Sequence, residues 1–373
     1  MFPLSSAAKS FIHTLGTYRL SSPKIAPIVE KAMQNRQVIF VKRPVGEVTS
    51  NCFDLRDAET PEPADGEVLI RNIYLSCDPY MRSQMDENSG YARGAFGLGN
   101  VMPARVVGQV VQSRRAGFAE GDFVWGFFAW ELYTCHPAGA ELWHVDPAHG
   151  PISHGISVLG MPGLTAYAGM MNIGKVQPGE TVFVSAASGA VGSVVGQLGR
   201  IAGARVVGSA GSEVKVAHLT DVLGFDAAYN YRDVEIGTAL DEHCPDGIDV
   251  YFDNVGGETL DAVLARINEG ARLPICGQIS QYDVQADGEL YGIRNITNLL
   301  RKHATMIGFS VRNNMDMFDE FLIRMAALMK AGDVVYTEDI KEGIDNTPDA
   351  FISMMCGENI GKRLVRVSDD PSL

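Results

Sequence analysis

The sequence predicts an α/β protein in which a mostly β domain precedes a doubly wound parallel sheet. Strand-like and helix-like segments alternate through the second half of the chain, which is typical of a parallel sheet with helices on both faces. The first third instead has short β-forming runs between turns that contain Pro and Gly. A length of 373 residues allows two domains, each able to bury a core.

The composition limits the partners and the compartment. The formal net charge is −14, and a surface of that sign repels nucleic acids and anionic membranes. The six cysteines are scattered without a CxxC pair, which indicates reduced thiols in an intracellular protein. No apolar run is long enough to span a bilayer. We therefore expect a cytoplasmic protein that binds neither nucleic acid nor membrane.

The first 34 residues differ from the rest of the chain. Lys9, Arg19 and Lys24 all precede the first acid, Glu30, and serines are frequent. A basic, Ser-rich segment without acids is typical of a mitochondrial transit peptide, although Gly and Pro interrupt its amphipathic helix. The plainer interpretations, which we favour, are a disordered tail or a true start at Met33. Mitochondrial import is thus the alternative to a cytoplasmic location.

The predicted β domain spans residues 35–158. A strand over QVIFVKRP is followed by two strands around an acidic Pro/Gly turn within residues 53–76. CDPYMRSQM then predicts a loop that enters a helical turn. The run ARVVGQVVQS contains a glycine that suggests a bulge, and a turn at 120–122 precedes an aromatic strand. These segments predict a partly open β-barrel or a sandwich.

The segment Thr181–Gly199 predicts a dinucleotide-binding unit. β-forming residues lead into a turn of small residues, and Val191 then opens an apolar stripe with helical spacing. Such a unit places a pyrophosphate at the free N–H groups of the helix start. The turn reads A-x-G-x-x-G from Ala187, so Gly189 would admit the phosphates and Gly192 would let helix and strand pack closely. A plain turn between strand and helix is the alternative.

Further strand and helix repeats predict the rest of this second domain, over residues 159–335. The expected strands lie at 204–210, 227–231, 248–257, 271–277 and 304–311. The remaining segment, 336–373, ends in the strand KRLVRVS, which is expected to return to the first domain.

The end of the second strand favours NADPH over NADH. An NAD-binding sheet usually carries an acid about 20 residues after the first glycine, where it binds the ribose 2′-hydroxyl. Here the strand ends in GSAGSEVK without such an acid. Ser209, Ser212 and Lys215 suit a 2′-phosphate, whereas Glu213 argues mildly against one. A solvated helix face is the alternative interpretation of Lys215.

Several motifs occur in an order that resembles a known family. They are LSCDPYMR (75–82), GLTAY (163–167), AASGAVG (186–192), YFDNVGG (251–257), ICGQIS (275–280), GF (308–309) and ENIGK (358–362). Together they resemble zinc-independent medium-chain dehydrogenases/reductases of the prostaglandin reductase, alkenal double-bond reductase and curcumin reductase group. The resemblance extends from about Gln34 to Val367. It implies a Rossmann NADP-binding domain, a GroES-like catalytic domain and a homodimer, for which the apolar edge strand at 304–311 offers a pairing route.

The resemblance also implies where NADPH binds. The pyrophosphate would lie on Ala187, Ser188, Gly189, Ala190, Val191 and Gly192. The 2′-phosphate would lie at Lys215 and Tyr231, with Arg232 as a helper. Asn254 would lie beside the nicotinamide ribose, and the segment with Cys276, Gly277, Ile279 and Ser280 would pass under the cofactor. Phe309 and Val311 would wall the nicotinamide, and Asn359 would reach it from the end of the chain. Two of these residues have alternatives, since Asn254 suits a turn before Gly-Gly and Asn359 suits a helix C-terminus.

No metal site is predicted. Zinc-dependent relatives carry Gly-His-Glu where this chain has Gly108–Gln109–Val110, and no four-cysteine cluster is present. His136, His144, His149 and His154 have the loose spacing of a surface loop rather than of a zinc site.

The activity implied by the resemblance is reduction of a carbon–carbon double bond conjugated to a carbonyl, as in 2-alkenals and enones. Hydride attack at the β-carbon leaves negative charge on the carbonyl oxygen, and a hydrogen-bond donor there contributes about 3 kcal/mol. Tyr80 is the candidate catalytic donor, with an aromatic pocket wall as its alternative role. Tyr167 is a second candidate that equally suits packing at a helix start.

One position departs from the family pattern. Prostaglandin reductases and plant double-bond reductases carry a tyrosine eight residues before the Phe of the GF motif, where this chain has Arg301. Arg301 suits either an acidic substrate or an exposed helix face, while Tyr282 and Tyr291 lie in the loop before it and are candidates to cap the pocket. An NADPH:quinone reductase and a non-catalytic NADPH-binding protein stay open as alternative functions.

Overall fold

The computed structural model describes residues 34–90, 94–284 and 288–373. The chain divides into two compact units. One contains Ser157–Thr337 and Ile360–Lys362, and the other contains the described residues up to Ile156 together with Glu338–Asn359 and Arg363–Leu373. Residues 1–33, on which the transit-peptide and tail interpretations fall, lie outside the described residues. Within the described ranges, no helix is long and apolar enough to cross a membrane.

The unit that contains most of the first third of the chain is mostly β. Strands are numbered along the whole chain, and those of this unit are β1 (Gln34–Phe40), β2 (Phe53–Glu59), β3 (Val68–Ser76), β4 (Pro103–Ser113), β5 (Phe123–Ala129), β6 (Tyr133–His136), β7 (Leu142–His144), β14 (Glu338–Glu342) and β15 (Lys362–Arg366). β1 and β2 form an antiparallel pair, and the others form a sheet of order β14-β15-β3-β4-β5-β7 with β6 also on β3. The end of the chain therefore supplies a strand to this sheet.

A bulge marks the centre of this sheet, as the glycine in ARVVGQVVQS predicted. The register between β3 and β4 shifts between Asn72 and Tyr74, beside Gly108. A Cβ at Gly108 would lie 2.4 Å from the carbonyl oxygen of Arg71, so the two strands approach too closely there for any side chain. The buried face of the sheet packs against aromatic residues, among them Trp130 and Phe351, whose ring centroids are 5.7 Å apart.

The second unit is a doubly wound parallel sheet, which confirms the predicted fold class. Its strands are β8 (Thr181–Val184), β9 (Arg205–Ala210), β10 (Ala227–Asn230), β11 (Ile248–Phe252), β12 (Ile267–Ile275) and β13 (Thr305–Gly308). They follow the order β10-β9-β8-β11-β12-β13, which is the order of a Rossmann sheet. In such a sheet the ligand binds beyond the carboxyl ends of the strands, where β8 and β11 diverge to opposite halves.

Three predicted strands have clearly different bounds. β11 ends at Phe252, five residues before its predicted end, and a helix begins at Gly257. β12 begins at Ile267, four residues earlier than predicted, and pairs with β11 from there. β13 ends at Gly308, because Ser310 caps a 3-10 helix by accepting from the N–H of Arg312.

Helices cover the parallel sheet and close one end of the β unit. Those of the parallel-sheet unit are Met161–Ala168, Gly192–Ile201, Glu213–Ala217, Ile236–His243, Gly257–Leu264, Thr297–Arg301 and Phe318–Ala331, with π-helical turns at Gly169–Gly174 and His218–Val222 and 3-10 turns at Ile279–Gln281 and Val311–Met317. Those of the β unit are Tyr80–Gln84 and Thr347–Met355, with 3-10 turns at Ser50–Cys52, Pro147–His149, Ile152–Ile156 and Ile344–Asn346.

Candidate functional site

The turn between β8 and the helix Gly192–Ile201 is folded tightly against the start of that helix. Ala186 has φ +47°, a left-handed conformation that residues other than Gly rarely adopt. A Cβ at Gly192 would lie 2.6 Å from the carbonyl oxygen of Ala186 and 2.8 Å from the Cα of Ala187. Both neighbours are backbone atoms that cannot rotate away. The shape of the turn therefore requires glycine at position 192.

This turn offers backbone N–H donors to an anion. Throughout the described part of the chain, no acceptor bonds the N–H groups of Val191 and Gly192. The N–H of Ala187 is already used, because it donates to the Ser209 carbonyl at 2.9 Å. Unpaired N–H groups at the positive end of a helix dipole are a favourable place for a phosphate. The arrangement therefore fits a dinucleotide pyrophosphate.

Two residues from later in the chain fix the orientation of this turn. The N–H of Gly361 donates to the Ser188 carbonyl at 2.8 Å, and the hydroxyl of Tyr336 donates to the Ala190 carbonyl at 3.3 Å. The C=O and N–H of a trans peptide point in opposite directions. The bond from Tyr336 therefore turns the N–H of Val191 away from Tyr336 and keeps it available to a ligand.

The carboxyl ends of β9 and β10 form a second corner of the site. The N–H of Tyr231 donates to the Ala210 carbonyl at 3.0 Å, and the Tyr231 hydroxyl lies 3.0 Å from where a Cβ of Gly211 would stand. The guanidinium of Arg232 is 5.9 Å from the centre of the Tyr231 ring. Lys215 is only 8% exposed, so it does not lie on a solvated helix face. Lys215 lies in the helix that follows β9, and Tyr231 and Arg232 follow the neighbouring strand β10. A buried cation, a phenol and a guanidinium at adjacent strand ends suit a 2′-phosphate.

A buried carboxylate connects the ends of β8 and β11. Asp253 Oδ1 accepts from the Tyr251 hydroxyl at 2.6 Å and from the N–H groups of Val255 and Gly256 at 2.9 and 2.8 Å. Ser185 joins this group, since its Oγ lies 3.1 Å from the Tyr251 hydroxyl. Burial raises the pKa of Asp253, and the four hydrogen bonds oppose that shift.

This network orients Asn254. Its backbone N–H donates to Ser185 Oγ at 3.0 Å, and its Nδ2 donates to the Ser185 carbonyl at 2.8 Å. One of the two N–H groups of the amide is thereby occupied, which fixes the amide and identifies Oδ1 as its acceptor for a ligand hydroxyl. Asn254 thus does more than form a turn before Gly256, which was the alternative interpretation.

The segment after β12 lies beside the same network. The N–H groups of Cys276 and Gly277 both donate to the Asp253 carbonyl, at 2.8 and 3.1 Å. The Ser280 hydroxyl donates to the Val255 carbonyl at 2.7 Å, and the N–H of Ile279 donates to the Asn254 carbonyl at 3.2 Å. Burial raises the pKa of the Cys276 thiol to about 12, and the charge of Asp253 adds to the shift. Cys276 is therefore a neutral thiol rather than a nucleophile.

Phe309 and Val311 follow β13, the strand beside β12 at the edge of the parallel sheet. The Phe309 ring packs edge-to-face on Phe252 with centroids 6.1 Å apart. A Cβ at Gly169 would lie 2.8 Å from Phe309 and 2.5 Å from Phe252, so this π-helical turn is shaped around both rings. The packing holds Phe309 at the carboxyl edge of the sheet, as a wall for a bound ring would require.

Tyr80 belongs to the β unit and is the first residue of the helix Tyr80–Gln84. Its hydroxyl accepts from Nη1 of Arg105 at 3.3 Å, and the Arg105 guanidinium lies 5.7 Å from the centre of its ring. Both side chains are half-buried. Asn359 is also assigned to this unit, two residues before the glycine that bonds Ser188.

Of the other candidate side chains, Tyr167 and Tyr291 bond carboxylates of their own unit. Tyr167 is 1% exposed and bonds Glu320 at 3.2 Å, and burial raises its pKa to about 12. The Tyr291 hydroxyl donates to Asp261 at 3.2 Å. Tyr282 differs, since its hydroxyl accepts from the N–H of Gln278 at 3.3 Å and thus lies over the segment predicted to run beneath the cofactor. Arg301 ends a short helix and is exposed.

Several residues that bond or orient the candidate side chains within each unit were not singled out by the sequence. They are Ser185, Tyr251, Asp253, Tyr336 and Arg105. Ser185, Tyr251 and Asp253 lie at strand ends or inside the YFDNVGG motif, whereas Arg105 and Tyr336 had no such signal.

In residues 34–90, 94–284 and 288–373, no group of three or more His, Cys, Asp or Glu side chains is arranged so that it could hold a metal ion. At the place of the Gly-His-Glu motif, the Gln109 amide is taken up within the β sheet. Its Oε1 accepts from Arg71 and its Nε2 donates to the Gly121 carbonyl, each at 3.2 Å.

Comparison with known proteins matches both units. A family model described as the N-terminal domain of oxidoreductase matches residues 36–145, and one described as zinc-binding dehydrogenase matches residues 190–340. The NADP(+)-dependent 2-alkenal reductase of Nicotiana tabacum is 40% identical over 341 residues, which cover 90% of this chain and 98% of that protein. The NADPH-dependent curcumin reductase of Escherichia coli is 36% identical over 344 residues, covering 91% and 99%.

Solved structures give the same result. The crystal structure of CurA from Vibrio vulnificus in complex with NADPH superposes with a TM-score of 0.84 at 39% identity, over 90% of this chain and all of that one (100%). The glycine-requiring turn, the Rossmann strand order and these similarities agree. The chain belongs to the medium-chain dehydrogenase/reductase family, in the group that contains the alkenal and curcumin reductases.

Proposed function

We propose that this protein is an NADPH-dependent reductase of carbon–carbon double bonds conjugated to a carbonyl, acting on 2-alkenals and enones. The observation that carries the proposal is the phosphate-binding turn with its buried Lys215 corner, in a chain that is 40% identical to a 2-alkenal reductase. An NADP-type coenzyme site and a relative of that activity together favour this reaction over other chemistry of the family.

The cofactor is NADPH, and when bound it supplies a hydride. The N–H groups of Val191 and Gly192 would bind its pyrophosphate, and Lys215 and Tyr231 its 2′-phosphate. Asn254 would accept from the nicotinamide ribose through Oδ1, because its Nδ2 is engaged by Ser185. Phe309 and Val311 would wall the ring, and Asn359 would contact it from the segment before β15.

Tyr80 is proposed as the donor to the substrate carbonyl oxygen. When the β-carbon gains a hydride, this oxygen becomes an enolate oxygen, and a phenol O–H bonds it more strongly than the ground-state carbonyl. The enolate then gains a proton at the α-carbon. Arg301 stands at the position where prostaglandin and plant reductases carry a tyrosine.

The proposal is tested by NADPH consumption with a panel of 2-alkenals, enones and quinones. We expect turnover of the first two classes, and we expect Tyr80→Phe to lower kcat by roughly 10- to 100-fold with little change in NADPH affinity. Turnover of quinones alone would instead indicate a quinone reductase. NADPH binding without turnover of any conjugated alkene would refute the proposed activity.

We also propose that the protein is a homodimer and that it is cytoplasmic. β13 is an edge strand of the parallel sheet, and apolar side chains beside it are exposed: Ile307 to 41% and Leu300 to 76%. Edges of this kind are usually paired or covered. Light scattering should give twice the chain mass, and Ile307→Lys should shift the protein toward monomer. A monomeric wild-type protein at micromolar concentration would rule the dimer out.

A further inference from the structure

We propose that Arg105 is a positioning residue for catalysis, which acts through Tyr80 to strengthen hydrogen bonding to the developing enolate. This inference rests on the proposed function and adds to it a residue that the family motifs do not contain. The starting observation is the contact from Arg105 Nη1 to the Tyr80 hydroxyl at 3.3 Å.

The chemistry of the two groups fixes the direction of this bond. A guanidinium has donors and no acceptor, so the phenol oxygen must accept from Arg105. The phenol's own O–H is then the group with which Tyr80 donates. The guanidinium also lies 5.7 Å from the ring centre, within the range of a cation–π contact. Arg105 therefore restrains both the ring and the direction of the hydroxyl.

The charge of Arg105 gives the contact a function beyond orientation. Arg105 lies in the middle of the β sheet, where it pairs with Phe127 of β5, and it is half-buried. Across the described residues, no carboxylate forms an ion pair with it, although the protein as a whole carries a net charge of −14. A cation without a carboxylate partner is weakly compensated, and its field acts on the atom it bonds.

That atom is the one that gains negative charge during the reaction. When Tyr80 donates to an enolate oxygen, part of the enolate charge passes to the phenol oxygen, and Arg105 donates to that oxygen. The bond from Arg105 is therefore stronger in the transition state than in the ground state, which is the condition for lowering the barrier. Arg105 need not touch the substrate for this effect.

A double-mutant cycle tests the inference. The variants are Arg105→Gln, Arg105→Lys, Tyr80→Phe and the double variant Arg105→Gln with Tyr80→Phe. Arg71→Gln is the matched control, because Arg71 is a half-buried arginine of the same sheet that bonds a neutral side chain, Gln109. Each variant is assayed for kcat and KM with a 2-alkenal and for NADPH affinity by fluorescence.

The expected result is coupling between the two sites. Arg105→Gln should lower kcat about tenfold while KM and NADPH affinity stay near wild type, and Arg105→Lys should restore most of the loss. In the Tyr80→Phe background, Arg105→Gln should have less than about a twofold effect. The Arg71→Gln variant should retain wild-type kcat. Should Arg105→Gln fail to fold, Arg105→Met keeps the aliphatic stem and replaces it in the cycle.

Four results would overturn the inference in distinguishable ways. Equal losses from Arg105→Gln in both backgrounds would show that Arg105 acts without Tyr80. Full activity of Arg105→Gln beside an impaired Tyr80→Phe would refute Arg105 alone and leave the proposed function standing. Wild-type kcat for Tyr80→Phe, or no turnover by the wild-type protein, would refute the role of Tyr80 or the proposed function, and Arg105 with it.

Discussion

The hydroxyl of Tyr251 donates a hydrogen bond of 2.6 Å to the carboxylate of Asp253, which is fully buried. Both residues belong to β11 or its first turn, and the carbonyl of Asp253 also accepts the N–H groups of Cys276 and Gly277. Asp253 thus connects three segments that follow β8, β11 and β12. Removing one donor from this group should disturb the cofactor site as well as the fold.

Tyr251→Phe should lower both stability and NADPH affinity. The substitution keeps the ring that stacks on Phe183 and removes only the hydroxyl. A buried carboxylate that loses one donor costs about 1–3 kcal/mol, and looser placement of Asn254 should weaken NADPH binding roughly 2- to 10-fold. Denaturant unfolding and a fluorescence titration measure the two effects. Tyr229→Phe is the control, since Tyr229 stacks on the same ring; equal NADPH affinities in both variants would contradict the prediction.

Asp253 should make stability fall as the pH rises. Burial raises the pKa of this carboxyl above its ordinary value of 3.8. At pH values between the ordinary and the raised pKa, the folded chain therefore binds a proton that the unfolded chain has released. The resulting stabilisation is complete below the ordinary pKa and is lost as the pH rises through the raised one. Asp253→Asn removes this dependence, and it suits the site because Oδ2, unlike Oδ1, has no partner among the described residues.

The measurement is the free energy of unfolding of both proteins across the acidic range. The difference between wild type and Asp253→Asn should shift in favour of the variant with increasing pH. A difference that stays constant, or that moves toward the wild type, would show that the carboxyl is not held with a raised pKa.

The two glycines of the proposed phosphate-binding turn should respond differently to alanine. A Cβ at Gly192 would clash with backbone atoms, whereas a Cβ at Gly189 would lie 3.3 Å from the Ala186 carbonyl oxygen and needs only a small shift. Gly192→Ala should therefore cost about 1–3 kcal/mol of stability and also abolish NADPH binding. Gly189→Ala should keep most of the stability and lose affinity for NADPH. A Gly189→Ala protein that binds NADPH normally would place the pyrophosphate elsewhere.

Lys215 should determine the choice between NADPH and NADH. Lys215 is 8% exposed in the helix that follows β9, and a phosphate paired with an ammonium there is worth about 1.5–3 kcal/mol. Lys215→Met should weaken NADPH binding roughly 10- to 100-fold and leave NADH binding nearly unchanged. Lys302→Met, at an exposed lysine of the same unit, serves as the control. Equal losses for both coenzymes would indicate a purely structural lysine.

The sequence predicted the fold class and the turn at Ala187–Gly192 because both depend on local patterns. Alternating strands and helices determine a parallel sheet, and small residues between strand and helix determine a tight turn. The group around Asp253 was not predictable in this way. Ser185 and Asp253 are 68 residues apart, and they meet only because Val184 of β8 pairs with Phe252 of β11.

The same reason explains the other residues that were missed. Arg105 meets Tyr80 through side chains that are 25 residues apart, and Tyr336 reaches Ala190 across 146 residues. Lys215 shows the reverse case, in which the residue was identified but its burial was not. A helix of five residues has no periodicity from which a buried face can be inferred. Strand register and segment packing, rather than composition, decide such contacts.

Cys276 should resist alkylation although it lies in the proposed cofactor site. Substrates of the proposed class add to thiolates, so a reactive thiol near them would inactivate the protein. Burial raises the pKa of Cys276 to about 12, and the thiolate fraction at neutral pH is therefore very small. Cys356 is exposed and provides the comparison within the same chain.

Treatment with a maleimide or a 2-alkenal, followed by peptide mass mapping, should modify Cys356 well before Cys276. In denaturant, where burial no longer acts, both should react at similar rates. Cys276→Ser should retain turnover, because the thiol has no chemical role in the proposed reaction. An adduct on Cys276 in the native protein at a rate near that of Cys356 would contradict the raised pKa, and loss of turnover in Cys276→Ser with intact NADPH binding would assign the thiol a role in the reaction.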